Sequence, residues 1–267
     1  MTAVRSYAIS VPEEFRRKAC RVNGVKTVVL TGGKGRPLVY FHGGGTFHGV
    51  DFARSWTKHF KVIAPYHPGY GESGDDPRMD SMQHYLVHYL GLFEELGLKR
   101  FDLVGISLGG WMAAEFAVMF PERIRRLVLV APAGLRVPEH PSPNLAEIPR
   151  EEILSYLVKD LDVLRPYLPK GRREAVALAA LMEREALTSA RIAPLGPYSS
   201  LLERWLHRAT MRTLLIWPKE DRILPVGQSK KWMRLLPNAK LLIVDNAGHL
   251  ALDESKKARQ AVVKFLS

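Results

Sequence analysis

Apolar residues fall into two rhythms along the chain. Short unbroken runs rich in Val, Ile and Leu recur at residues 25–30, 37–41, 61–64, 102–106, 124–130, 212–217 and 240–244. Runs of this length, bounded by Gly, Pro and polar turns, predict strands buried on both faces. Between them lie stretches with helical spacing at 52–60, 81–96, 111–117, 228–236 and 255–266. In the second of these Leu86, Leu90 and Phe93 share one face, and Asp80 or Ser81 is placed to cap it. Strands alternating with helices predict an α/β fold whose mostly parallel sheet is covered on both sides.

The rhythm breaks once. After residue 134 comes a polar loop containing Pro138, Pro141, Pro143 and Pro149, and then helical patterns at 151–157, 161–168, 172–187 and 199–207 with no strand-type run. The chain is therefore expected to divide into an α/β core, 1–134 and 209–267, and an all-helical lid insertion, 135–208. Most apolar lid residues should pack helix against helix. A minority of Leu178, Leu181, Met182, Leu187, Ile192, Leu195, Tyr198, Leu201 and Leu202 should face a cleft, and Arg184 or Arg191 could meet a substrate carboxylate there.

Composition narrows the picture. The 267 residues suit one large domain or one domain with an insertion. No apolar run approaches the ~18–20 residues of a membrane span. The stretch from Met1 to Ser6 lacks the apolar core of a signal peptide, and the single cysteine, Cys20, allows no internal disulfide. Both lead to the expectation of a cytoplasmic protein. Cys20 has basic neighbours (Arg16, Arg17, Lys18, Arg21) but no partner base, so it is not read as catalytic. The net charge of +12 is spread along the chain without a basic run, so no nucleic-acid partner is expected. His84 and His88 stand four apart on a predicted helix, a spacing metals use, yet no third ligand is evident and no metal is expected.

The candidate chemistry centres on Gly105, Ser107 and Gly109, a G-x-S-x-G between a predicted strand and a predicted helix. A strand turning at once into a helix lifts the middle residue clear of the sheet, beside the free N–H groups of a helix N-terminus. A serine hydroxyl there needs a base to remove its proton, normally a histidine oriented by a carboxylate. Asp221 follows the strand at 212–217, and His249 follows the last strand. Both therefore map to the sheet edge that carries Ser107. Glu220 and Asp245 are rival acids. The glycine-rich His42-Gly43-Gly44-Gly45-Thr46 ends without the Lys-Ser/Thr of a phosphate loop, so no nucleotide is expected.

Taken together, H-G-G-G-T, P-G-Y-G-E-S, G-I-S-L-G-G, the D-R-I-L-P loop and A-G-H resemble the α/β-hydrolase fold family, serine-nucleophile type with a helical lid, over the whole chain. The resemblance implies Ser107 as nucleophile, His249 as base and Asp221 as its orienting acid. It implies an oxyanion hole from the backbone N–H groups of Gly44 and Leu108, with His42 supporting that loop. His48, His59, His67, His140 and His207 are read as solvent-facing or packing groups. Two positions depart from the family pattern: Tyr66, where an Asp is common, and Trp217-Pro218 in place of W-G. A serine at the elbow argues against dehalogenases and epoxide hydrolases, which place Asp there. No metal, nucleotide or flavin is implied. The expected activity is hydrolysis of a small-molecule carboxylic ester through an acyl-serine, with Met182, Leu187 and Arg184 as substrate contacts. Two alternatives keep the same triad: a carbon–carbon hydrolase of dienoate ring-fission products, and a slow-turnover ligand receptor.

Overall fold

The computed structural model describes residues 7–194 and 196–267. The readings made for Met1 to Ser6 and for Leu195 lie outside the described residues. The expected α/β architecture is present. Among the described residues an eight-stranded sheet runs in the order β1-β2-β4-β3-β5-β6-β7-β8. The strands are β1 (Phe15–Val22), β2 (Val25–Gly32), β3 (Pro37–Phe41), β4 (Lys61–Pro65), β5 (Phe101–Ile106), β6 (Ile124–Pro132), β7 (Arg212–Pro218) and β8 (Ala239–Val244). From β4 to β8 all neighbours are parallel, whereas β2 pairs antiparallel with β4 and β1 with β2. The β1–β2 hairpin closes on Asn23 and Gly24, both at positive φ (48° and 84°), the backbone a tight two-residue hairpin requires.

The helices are α1 (Met82–Glu95), α2 (Ser107–Met119), α3 (Ile153–Leu157), α4 (Arg172–Ile192), α5 (Ser200–Trp205), α6 (Ser229–Leu235), α7 (Ala251–Glu254) and α8 (Lys256–Leu266). Alternate residues of the central strands enter different cores. Leu103, Leu127, Leu129 and Leu215 pack with Leu86 of α1, Phe116 of α2 and Trp232 of α6. Val104, Val128, Val130 and Leu214 pack with Trp56, Leu252 of α7 and Val262 of α8. Burial on both faces explains the unbroken apolar runs, and each such side chain contributes roughly 1.5–3 kcal/mol of transfer free energy.

Three segments differ from the sequence expectation. The helix expected at 52–60 is a 3-10 helix, Asp51–Lys58. The stretch at 161–168 is two short 3-10 turns, Leu161–Val163 and Arg165–Tyr167, because Pro166 cannot donate within a longer helix. Conversely α4 continues past residue 187 to Ile192, and Pro194 follows its end. Between β6 and β7 the described chain is helical, with no strand. No helix of the described residues is long and apolar enough to cross a membrane.

At the amino-terminal edge of the sheet, buried Asp102 accepts hydrogen bonds from Arg36 (3.3 Å) and Arg125 (2.7 Å). The same arginines donate to the Leu266 carbonyl, and Arg126 donates to that of Phe265 (2.5 Å). Cations thus satisfy the last carbonyls of α8. The carboxyl-terminal ends of β3, β5, β6, β7 and β8 open onto the other edge.

Candidate active site

Ser107 is the first residue of α2 and directly follows β5. Its φ of 54° lies in the left-handed region, a strain on the order of 1–3 kcal/mol for a residue with a Cβ. Three glycines make the turn possible. A Cβ on Gly109 would sit 2.2 Å from the His42 carbonyl oxygen and 2.3 Å from that of Phe41. One on Gly105 would sit 2.3 Å from the Gly109 oxygen, and one on Gly110 would meet Pro132 at 2.8 Å. Only side-chain-free positions let α2 descend between the ends of β3 and β6. The Ser107 carbonyl accepts the Ala133 N–H (3.1 Å), which fastens the turn to β6.

Asp221 and His249 meet at the same edge. Asp221 Oδ2 lies 2.8 Å from His249 Nδ1, and its other oxygen accepts the N–H groups of Ile223 (2.9 Å) and Leu224 (2.8 Å). The carboxylate is thereby fixed in rotation, and both side chains are buried. The rival acids are engaged otherwise. Glu220 accepts the Ala247 N–H (3.3 Å) and faces Lys159 (3.6 Å), which braces the histidine loop. Asp245 is exposed opposite Lys219 (3.6 Å).

Beside Ser107 runs the glycine-rich loop after β3. His42 Nδ1 lies 2.7 Å from the Gly43 carbonyl oxygen, while its Nε2 accepts the His67 N–H at 3.0 Å. Because the C=O and N–H of one peptide plane point in opposite directions, holding the Gly43 carbonyl toward His42 sends the Gly44 N–H the other way. Burial, and then the neighbouring His67, hold the His42 ring well below the usual histidine range; burial takes His67 to about 3. Both rings therefore act as neutral struts, not as bases. His67 and His48 were expected to be solvent-facing or packing groups. Both are buried and hydrogen-bonded, His67 Nε2 to the His42 carbonyl (2.9 Å) and His48 to Asp253 (3.1 Å).

A cavity of about 460 Å³ opens over Ser107. Gly44, Ser107 and Leu108 line it, together with Ile223 and Leu224. Residues 142–146 and the end of α4, at Ser189 and Ala190, also line it. Among the described residues that line it, none carries a charged side chain. The substrate contacts expected from sequence lie elsewhere. Leu187 is 67% exposed, Met182 packs half-buried on the core, and Arg184 donates to the Gly71 carbonyl. Arg191 pairs with Asp75 at 2.5 Å. The reason is rotational: the face of α4 turned to the cavity carries Ser189 and Ala190. His84 turns to Asp80 (3.1 Å) and His88 to Thr27 (2.9 Å). Among the described residues no three His, Cys, Asp or Glu side chains converge as for a metal.

One residue escaped the sequence reading. Glu185 is 1% exposed on α4 and bonds the glycine-rich loop at Thr46. Its signal was available: Leu178, Leu181, Glu185, Thr188 and Ile192 form one helical stripe, and a carboxylate stands in the middle of it.

Comparison with known proteins extends these observations. The sequence model of the Alpha/beta hydrolase family matches residues 38–264. A 2-hydroxy-6-oxo-6-phenylhexa-2,4-dienoate hydrolase of Comamonas testosteroni is 29% identical, over 88% of this chain and 88% of that one. A 2-hydroxy-6-oxo-2,4-heptadienoate hydrolase of Pseudomonas putida is 26% identical, over 91% of this chain and 94% of that one. Among solved structures, a membrane phospholipase A superposes with a TM-score of 0.82 at 24% identity, over 95% of this chain and 86% of the other, a likeness of fold.

Proposed function

We propose that this chain, which belongs to the Alpha/beta hydrolase family, is a serine hydrolase in which Ser107 attacks a substrate carbonyl, His249 moves the proton and Asp221 orients His249. The observation that carries the reading is the buried His249–Asp221 pair at 2.8 Å, on the sheet edge where Ser107 stands in its left-handed turn. His249 takes the Ser107 proton as the hydroxyl oxygen bonds to the carbonyl carbon. The N–H groups of Gly44 and Leu108 receive the oxyanion. Collapse expels the leaving group, which takes the proton from His249, and leaves an acyl-serine. His249 then deprotonates the water that releases the acid. Residues 135–208 act as a lid, with residues 142–146 and α4 over the cavity.

The bond broken is a carbon–carbon bond beside a ketone, in a dienoate of the ring-fission type. The names of the relatives support this over the ester bond expected from sequence. Such a cleavage expels a carbanion, which must be delocalised into a conjugated oxo acid. A second reading, ester hydrolysis, is favoured by the uncharged cavity wall, since neither Arg184 nor Arg191 is turned to meet a carboxylate. The deciding experiment compares steady-state turnover of 2-hydroxy-6-oxo-6-phenylhexa-2,4-dienoate and p-nitrophenyl butyrate by wild type and Ser107→Ala. Faster Ser107-dependent cleavage of the dienoate supports the first reading, and faster ester cleavage the second. A single-turnover burst followed by silence on both points to a receptor. Turnover surviving in Ser107→Ala would remove the nucleophile assignment.

A further inference from the structure

The glycine-rich loop is held at two points. At its start, His42 fixes the Gly43 carbonyl. At its far end the partner comes from a different part of the chain. Glu185 Oε2 accepts the Thr46 N–H at 3.0 Å, and Oε1 accepts the Thr46 hydroxyl at 2.5 Å and the Gly71 N–H at 2.8 Å. All three donors point at one buried carboxylate. A neutral acceptor could not serve both oxygens' partners, because a glutamine amide would set an N–H against one of them. Further ties fasten the same helix: the Arg184 guanidinium donates to the Gly71 carbonyl, and Tyr70 and Ser189 share a hydroxyl contact at 2.7 Å. Ser189 Oγ also lies 3.4 Å from where a Cβ on Gly44 would be. Burial pushes the Glu185 carboxyl up, against the hydrogen bonds from Thr46 and Gly71 and the nearby Arg184. Sequestering an acid here is costly, so its hydrogen bonds must be well made.

We propose that Glu185 is a positioning residue for the oxyanion loop: presented by α4, it anchors Thr46 and Gly71 and so sets the aim of the Gly44 N–H. This rests on the hydrolase reading above, in which Gly44 receives the oxyanion. It gives the helical segment a part in the chemical step, although every triad and oxyanion group lies outside that segment. A donor swung away from the oxyanion loses transition-state stabilisation while leaving ground-state binding in place.

The test uses a fluorophosphonate, which reports on an activated serine whatever the natural substrate. In Glu185→Gln the maximal labelling rate of Ser107 should fall about 10- to 100-fold, with half-saturating concentration within about twofold of wild type. Thr46→Val keeps the loop N–H and removes only the hydroxyl, so its loss should be smaller. The double variant should lose less than the product of the two, because both changes damage one anchor. A folded Glu185→Gln with a wild-type labelling rate overturns the proposal. So does a rise in half-saturating concentration alone, which would make Glu185 a part of the cavity wall and nothing more. Should Glu185→Gln fail to fold, Thr46→Val decides alone: a lower maximal rate supports the anchor, an unchanged one overturns it. Wild type that takes no label at Ser107 sinks the hydrolase reading, and this proposal with it.

Discussion

Among the described residues there are two buried histidine–carboxylate pairs, and they are set in different surroundings. His249 and Asp221 are 2.8 Å apart at the carboxyl ends of β7 and β8, and both oxygens of Asp221 are occupied. His48 and Asp253 are 3.1 Å apart between the glycine-rich loop and α7, and Asp253 Oδ2 has no partner among the described residues. The first pair shares the sheet edge with Ser107, and its loop residues Ile223 and Leu224 line the cavity. Neither His48 nor Asp253 lines that cavity, and the second pair ties the loop that carries Gly44 to the helix after His249. On the proposed reading, a buried His–Asp contact is not a catalytic signature in itself, and its place relative to the strand ends and to Ser107 decides what it does.

Substitutions in the two pairs should separate most sharply on rate. Ser107→Ala should lower kcat by about 10⁴–10⁶ on whichever substrate proves best. Asp221→Asn should cost about 10³–10⁴, because the imidazole loses its tautomer control and the charge that stabilises imidazolium. Asp253→Asn, measured in the same assay, should cost less than about tenfold. If Asp253→Asn cut the rate as deeply as Asp221→Asn, the division of roles drawn here would be wrong.

On stability the order should reverse in interest. Burial alone would push His48 down, but Asp253, helped by the charges of Glu185 and Asp51, raises it above the ordinary value. The folded protein then holds the His48 proton more tightly than the unfolded chain does. That contribution is complete below ~6.5 and is lost as pH rises through the folded value. Urea unfolding at pH 6 to 9 should show this alkaline decline in wild type and not in Asp253→Asn. His67, taken to about 3 by burial, and His88, taken to about 4 by burial, act in the opposite sense. Neutral when folded and protonated when unfolded, they make stability fall as pH drops below ~6.5, by on the order of a few kcal/mol across that window.

The smallest effects should come from positions of α4 that do not hold the glycine-rich loop. Ala190→Leu, at the cavity, should shift preference toward shorter acyl chains, measured as the ratio of kcat/KM for p-nitrophenyl acetate and octanoate. Leu187→Ser, on the exposed side, should leave that ratio within about twofold and stability within about 0.5 kcal/mol.

Sequence carried the fold and the central geometry well because the signals are local. Gly105, Gly109 and Gly110 are needed by the turn they flank, and strands buried on both faces leave continuous apolar runs. The edge strand β1 was faint, since four consecutive exposed residues, Arg16 to Ala19, give it no two-residue alternation. The side chains over the cavity were illegible for another reason. Which face of α4 turns inward depends on contacts with residues over 100 positions away, such as Gly71 with Glu185 (|i−j| of 114). Helical periodicity finds the stripe but not its partner. His48 was missed in the same way, because Asp253 lies 205 positions off.

The contacts between Glu185, Thr46 and Gly71 also bear on inheritance. A helical segment that merely covered a pocket could be exchanged between relatives as a cassette. This one carries the acceptor for two backbone N–H groups of the core, and a donor segment lacking a carboxylate at position 185 would strand both, at roughly 1–3 kcal/mol each. Chimaeras that splice the segment at residues 135 and 208 should therefore inherit a slack loop unless the incoming segment brings a carboxylate to position 185.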